Sequence, residues 1–207
     1  MGRRLRVPPT KSGLLLLRRQ VLFLEGGHRL LERKKELLTR LVYERLSQYR
    51  GLRVEARAAL QEAYQWLGIT AMRTRSRSLR QVALGLGPAL EVEILPRRSL
   101  GVEYPSVRAE LRPLQPVGLM GTDPSLDETR TRLAQAAVLL ARLGESETAL
   151  WRLLEEQRKT QKRVNALKYN VIPRYHETIR FIESALEEDE RSTLFQIKLL
   201  RAHDRQD

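Results

Sequence analysis

The sequence contains no cysteine. That excludes a disulfide framework and any thiolate-held zinc, and it fits a reducing compartment. Aromatic residues are scarce, at 5% of the chain, low for a compact core. No run approaches the roughly 18 uninterrupted apolar residues of a membrane-spanning helix, so a soluble chain is expected, one that works at a membrane only through partners. The opening MGRRLRVPPTKSGLLLLRRQVLFLEGG carries an apolar stretch. Arg18 and Arg19 interrupt it and no small-residue cleavage site follows, which argues against a signal peptide. There is no G-x-x-x-x-G-K-[ST] phosphate loop, and Gly85–Pro88 reads as an ordinary loop. His28, His176 and His203 share no ligand spacing, and no Ser/His/Asp or Cys/His set can be assembled. The residues therefore make no case for a catalyst, a cofactor site or a metal site.

What the sequence has is charge and helical pattern. Lys and Arg number 38 against 25 Asp and Glu, a formal net charge of +13 over 207 residues. An excess of that size calls for an acidic partner: nucleic acid, an anionic membrane or an acidic protein surface. The basic stretch RTRSRSLR is not interleaved with aromatics for base stacking, which argues against nucleic-acid binding.

The spacing predicts a helix over 10–72, capped by Thr10 or Ser12 with Pro8 and Pro9 outside. Its seam runs through Leu17, Val21, Leu24, His28, Leu31, Lys35, Leu38, Val42, Arg45, Tyr49, Leu52, Ala56, Ala59, Ala63 and Trp66, in the alternating steps of a coiled coil. At about 1.5 Å per residue it would be roughly 90 Å long, and such a helix needs a partner along its length. His28 falls on the seam, where a packed, hydrogen-bonded ring is expected; His176 and His203 read as solvated.

Residues 73–125 hold most of the prolines. RTRSRSLRQ reads as a flexible connection. Leu90, Val92 and Ile94, then Leu100, Val102 and Tyr104, alternate with polar residues and predict a small β-hairpin over about 89–111, with PRRS between its strands. RPLQPVGLMGTDPS reads as an irregular return. A second helix is expected over 126–201, capped by Asp123 or Ser125, with a stripe of Leu133, Ala137, Leu140, Leu143, Leu150, Leu154, Val164, Leu167, Val171, Ile179, Ile182 and Leu186 that softens at EEQRKTQKR. Within it stands Pro173. The stripe continues beyond, so a helix kink is expected there rather than an end. The predicted fold class is all-α dominated: a long antiparallel two-helix coiled coil with a small β-hairpin insert.

Three stretches carry a resemblance. They are PTKSGLLLLRRQVLFLEGGHRLLERKKELL (9–38), RRSLGVEYPSV (97–107) and TQKRVNALKYNVIPRYHETIRFIESALEEDERSTLFQIKLLR (160–201). The last holds R-V-N-A-L with I-P five residues on, then I-R-F-I and E-R-x-x-x-F-x-x-K. Together they resemble the D subunits of the V-type and A-type rotary ATPases. Gly26, Lys168 and Leu100 depart from the family pattern. The resemblance implies a non-catalytic central rotor stalk that transmits torque between an ATP-hydrolysing or ATP-synthesising hexamer of A and B subunits and a membrane ion-translocating ring. It implies the small F subunit of the central stalk and a funnel-shaped subunit as further partners, no direct contact with nucleic acid, and a peripheral place on the cytoplasmic side of a prokaryotic plasma membrane. Arg33, Lys34, Lys162, Arg163 and Arg180 are the candidate contacts to the hexamer; Leu100, Gly101, Val102 and Pro105 mark the insert hairpin. The rotor of F-type synthases carries a full α/β domain for which 73–125 is too short. A basic coiled-coil protein that organises nucleic acid, or a scaffold coiled coil, is the alternative.

Overall fold

A computed structural model describes residues 5–117 and 123–203, without side-chain detail for 200–203. In order along the chain it has α1 (Lys11–Arg73), α2 (Ser76–Gly85), β1 (Leu90–Ser99), β2 (Val102–Leu111), α3 (Pro124–Ala166), a π-helical turn (Leu167–Val171) and α4 (Ile172–His203). The expected fold class holds: long antiparallel helical segments with a two-stranded antiparallel insert between them. Contacts divide the chain into a terminal unit, Met1–Leu37 with Arg158–Asp207, and a middle unit, Leu38–Gln157.

In the terminal unit Thr10 caps α1, accepting the Gly13 N–H on its hydroxyl at 3.1 Å. The space there suits glycine. A Cβ on residue 13 would stand 3.0 Å from that hydroxyl and 3.2 Å from the Pro8 carbonyl. Leu17 and Val21 pack with Ile179 and Ile182, and Leu5, Val7, Leu14, Tyr175 and Leu186 close around them. Thr178, fully buried, accepts the Leu5 N–H at 3.1 Å and donates to the Arg174 carbonyl. Along the flank Lys11 meets Glu190 at 2.8 Å, Arg18 meets Glu183 at 2.6 Å and Glu25 meets His176 at 3.2 Å. Each partner moves seven residues per contact in opposite directions, which is the heptad of an antiparallel pair.

The second helix is not continuous. The Ile172 N–H reaches back to the Leu167 carbonyl, five residues away, and Pro173 follows as the second residue of α4. A π-turn holds one residue more than an α-turn. That extra residue moves the stripe on by one place, so Ile179 and Ile182 face the core and Phe181 faces solvent.

In the middle unit Leu38 and Leu153, both fully buried, pack with Val102 of β2, supported by Leu41 and Val42. The predicted α1 seam is followed throughout: every one of its positions is buried or half-buried. The early α3 stripe is corrected. Leu150 is buried as expected, but Leu133 and Leu140 are exposed, and Leu126, Ala134, Ala136, Ala149 and Leu153 are buried instead, because small residues let the helices approach closely where the leucine stripe alone suggested contact. The polar run at 155–163 does enter the seam, with Thr160 buried in the terminal unit and, in the middle unit, the Gln157 amide donating to Thr39 Oγ1 at 3.4 Å. A buried knot joins α1 to α3. Thr70 Oγ1 lies 2.7 Å from Thr129 Oγ1 and 2.9 Å from the Ser125 carbonyl, which also accepts from Thr129. Arg132 is held between Glu128 and Glu62. The Glu128 hydrogen bond is the main reason its already high pKa rises further.

Two connections differ from expectation. The connection RTRSRSLRQ (73–81), expected to be flexible, is helical from Ser76 and continues to Gly85 as α2: no glycine or proline interrupts 76–84, and Leu79 and Val82 are half-buried one turn apart. PRRS is not the hairpin turn but the end of β1, with Pro96 opposite Pro105. Proline is tolerated on a strand edge. The turn is Leu100–Gly101, at φ 50° and 79°, the two left-handed residues that a two-residue type I′ turn demands. Residues 112–117 are irregular as expected, and 118–122 of that return segment lie outside the described residues, as does the side chain of His203. Among the described residues, no helix is long and apolar enough to cross a membrane.

Candidate partner-binding surfaces

The five basic candidates all fall in the terminal unit. Arg33, Lys162, Arg163 and Arg180 are exposed, whereas Lys34 is half-buried and engaged. Arg163 stands in the last turn of α3, just before the π-turn. Arg180 borders a shallow groove with Glu177, Phe181 and Ser184. Lys11, though exposed, is raised above its ordinary pKa by its hydrogen bond and charge pairing with Glu190, whose carboxyl is lowered in return.

Sequence reading missed a second apolar stripe. Leu15, Leu22, Leu30 and Leu37 follow one another at steps of seven, eight and seven on α1 and are all exposed; Leu22 is 68% exposed and the neighbouring Phe23 81%. Those steps average 3.67 residues per turn over six turns, so the stripe runs nearly straight along the helix. It is distinct from the seam of Leu17, Val21 and Leu24. On α4, Leu194, Phe195, Ile197 and Leu199 are exposed as well. The signal was present as a second periodicity in the leucine-rich opening of the chain. Scattered exposed apolar residues need no explanation, but these recur in register every two turns, with Arg18 and Arg19, and then Arg33 and Lys34, at the intervening positions.

In the middle unit the hairpin is anchored by one strand. Val102 and Tyr104 are buried. The Arg45 guanidinium lies over the Tyr104 ring at 5.8 Å, Arg152 donates to the Glu103 carbonyl at 2.8 Å, and Glu145 accepts the Val107 N–H at 3.0 Å. Of the hairpin candidates, Val102 is thus a core residue and Pro105 is half-buried, while Leu100 and Gly101 form the exposed tip. The register places Leu90, Val92, Ile94 and Pro96 beside Leu111, Ala109, Val107 and Pro105 on the face opposite Val102 and Tyr104. Over those pairs the outward face is apolar, and Ile94 is 66% exposed. The edge of β1 is the exposed side of the hairpin.

The hairpin base is tied by Arg112, which donates twice to Glu91 at 2.9 and 3.0 Å. At the start of α3, Ser125 and Arg73 hydrogen-bond the Asp123 carboxylate, and the Ser125 bond is the main reason it is held below the usual carboxylate range. The residues so arranged present surface, charge and apolar rows. Among the described residues no group of three or more metal-ligating side chains comes together.

Comparison with known proteins agrees with this picture. The family model for the D subunit of ATP synthase matches residues 13–202. The A-type ATP synthase D subunit of Pyrococcus furiosus is 33% identical over 202 residues, covering 96% of this chain and 94% of that protein. The V-type ATP synthase D subunit of Thermotoga neapolitana is 32% identical over 196 residues, covering 94% and 97%.

Proposed function

The chain belongs to the family of ATP synthase D subunits, and from that premise we propose that it is the central rotor stalk of a V/A-type rotary ATPase. In this reading it performs no chemistry of its own. It carries torque between a hexamer of A and B subunits, where ATP is made or hydrolysed, and a membrane ring that moves ions. The terminal unit is the part that turns inside the hexamer. The middle unit serves the small F subunit and the funnel-shaped subunit above the ring. The complex sits peripherally on the cytoplasmic side of a prokaryotic plasma membrane and reaches the bilayer only through its partners.

The observation that carries this reading is the exposed leucine row on α1, set among arginines. A shaft that must pass several equivalent sites in turn needs contact without a deep, specific pocket. A straight apolar row offers non-directional contact, and flanking cations offer long-range attraction to acidic loops. Heptad pairing by exposed ion pairs keeps the two helices in register while leaving that outer surface available.

The test is single-molecule rotation of the reconstituted complex under viscous load. Replacing Leu22, Phe23 and Leu30 together with Ser is expected to weaken assembly or cut torque at least severalfold. Neutralising Arg33, Lys162, Arg163 and Arg180 as a group is expected to do the same in a salt-dependent way. Full torque in both sets would overturn the assignment of the terminal unit to the hexamer.

A further inference from the structure

Two breaks fall at one level of the terminal unit. On α1 the break is Gly26–Gly27. A Cβ at either position would meet nothing within 4 Å, so packing does not call for glycine there and alanine would fit. What glycine brings to a helix interior is looseness, since it gives up more chain freedom on becoming helical than any other residue. On the other helix the break is the π-turn Leu167–Val171, closed by the Ile172 N–H on the Leu167 carbonyl. Pro173 then supplies no N–H at all, so the ladder between the turn and the rest of α4 lacks a bond. The Glu25–His176 contact at 3.2 Å sets the two breaks side by side. Gly26 and Gly27 follow Glu25 directly, and Pro173 precedes His176 by less than one helical turn.

The buried core is missing at the same level. On α1 the buried residues stop at Val21 and resume at Leu38; on α3 and α4 they stop at Val164 and resume at Thr178. No residue in between is buried on either side. Beyond Leu38 the situation differs, for there Leu41 and Val42 pack around the fully buried Leu153. His28, inside the break, leaves its buried Nε2 without a partner. Its ionic neighbour is Glu32 of the same helix, at 3.9 Å, so the ring makes no polar tie across the pair.

We infer that this level is a flexible joint: the end of the terminal unit beyond it, where Leu17 and Val21 pack with Ile179 and Ile182, bends as one body on the part behind it. Sparse burial and exposed or missing backbone bonds are the features that lower the cost of local opening, and a bend in a long helix needs a cause of this kind. A weak point in one helix alone would be splinted by its partner. Here both helices are weak together, so neither splints the other. The joint is a property of this chain's own backbone and does not depend on the rotor reading.

The test uses the full chain, which has no cysteine, so spin labels can be placed one pair at a time. Labels at Arg19→Cys and Arg40→Cys, both exposed, span the two glycines; labels at Arg29→Cys and Arg50→Cys, also exposed and equally far apart, span helix without glycine. Each pair is separated by about 30 Å of helix. Double electron–electron resonance should give the first pair a distance distribution about 1.5-fold or more as wide as the second. Gly26→Ala with Gly27→Ala should bring the two widths together. In the natural chain, backbone amides at 26–31 should exchange about tenfold or more faster than those at 17–22, whereas fraying from the chain end would give the opposite order. The two alanines should slow exchange at 26–31 by about tenfold, since each replaces the weaker helix former. Equal widths in the natural background, exchange no faster at 26–31 than at 17–22, or a double-alanine variant that changes neither would each overturn the joint. The exchange comparison needs no variant, so it decides the matter even if a label disturbs the helix.

Discussion

In the terminal unit one contact repeats every seven residues: Lys11, Arg18 and Glu25 against Glu190, Glu183 and His176. In the middle unit the polar contacts are concentrated instead, in the Thr70–Ser125–Thr129 knot and in the anchoring of β2 by Arg45, Glu145 and Arg152. The difference lies in where specificity comes from. A repeating ladder of exposed ion pairs adds little energy per pair and sets register by repetition. A buried knot is satisfied in one arrangement only, and it fixes a single geometry at the cost of tolerating no missing partner. Repetition suits a long, uniform pair of helices; a single buried arrangement suits an insert that must be held in place.

The sharpest way to break this comparison is at the middle core. Leu153→Ala removes a fully buried side chain that packs on Leu38 and Val102, and it should cost about 2–5 kcal/mol in urea unfolding. Hydrogen exchange should accelerate at the β2 amides first, with α4 keeping its protection. Equal loss of protection on α4 would show that the two units are one cooperative body. A smaller effect of opposite sign is expected at the hairpin tip. Leu100 adopts a left-handed backbone, which costs a residue with a bulky side chain about 1–2 kcal/mol. Leu100→Asn should therefore stabilise the isolated chain by roughly 1 kcal/mol, since Asn-Gly suits this turn. If it also weakens capture of partner subunits, the exposed leucine is retained for contact rather than for folding.

The smallest effect is at the ladder. The Glu190 carboxyl is lowered below its ordinary 4.5 by Lys11, so its contribution is present at neutral pH and lost as pH falls below that value toward the folded pKa. Lys11 is raised above 10.5, so its share is present below that pH and lost as pH rises through the folded value. Lys11→Met should therefore lower stability only slightly at neutral pH, where both partners are charged, and leave it unchanged at both extremes, where the pair is already lost. A large loss at pH 7 would mean that the ladder holds the unit together rather than merely keeping register.

Much of this was legible in the chain. The α1 seam, the Thr10 cap, the existence of the hairpin and the singular status of Pro173 all follow from local rules: a period of 3.5, a hydroxyl before a helix, alternation over a few residues, a missing N–H. The misses came where a local rule was overruled. Pro96 looked like a turn residue, but an edge strand has room for it, and the positive φ that the turn needs was met by Leu100 and Gly101. Leu133 and Leu140 looked like seam, but alanines let the helices close along another line. His28 was expected to find a hydrogen-bond partner, and its Nε2 has none among the side chains and backbone.

By itself the sequence determined that the chain is two long helical stretches around a small insert, because heptad spacing acts over a few residues and needs no distant information. It also determined the family, through R-V-N-A-L-K-Y-N-V-I-P. Only the tertiary structure decided that this motif is a π-turn rather than a simple bend, and that the leucine-rich opening has two apolar faces of which one meets α4. Both depend on what stands opposite: one extra residue in the turn is needed to keep Ile179 and Ile182 against Leu17 and Val21, and a stripe is core or surface according to whether another helix covers it.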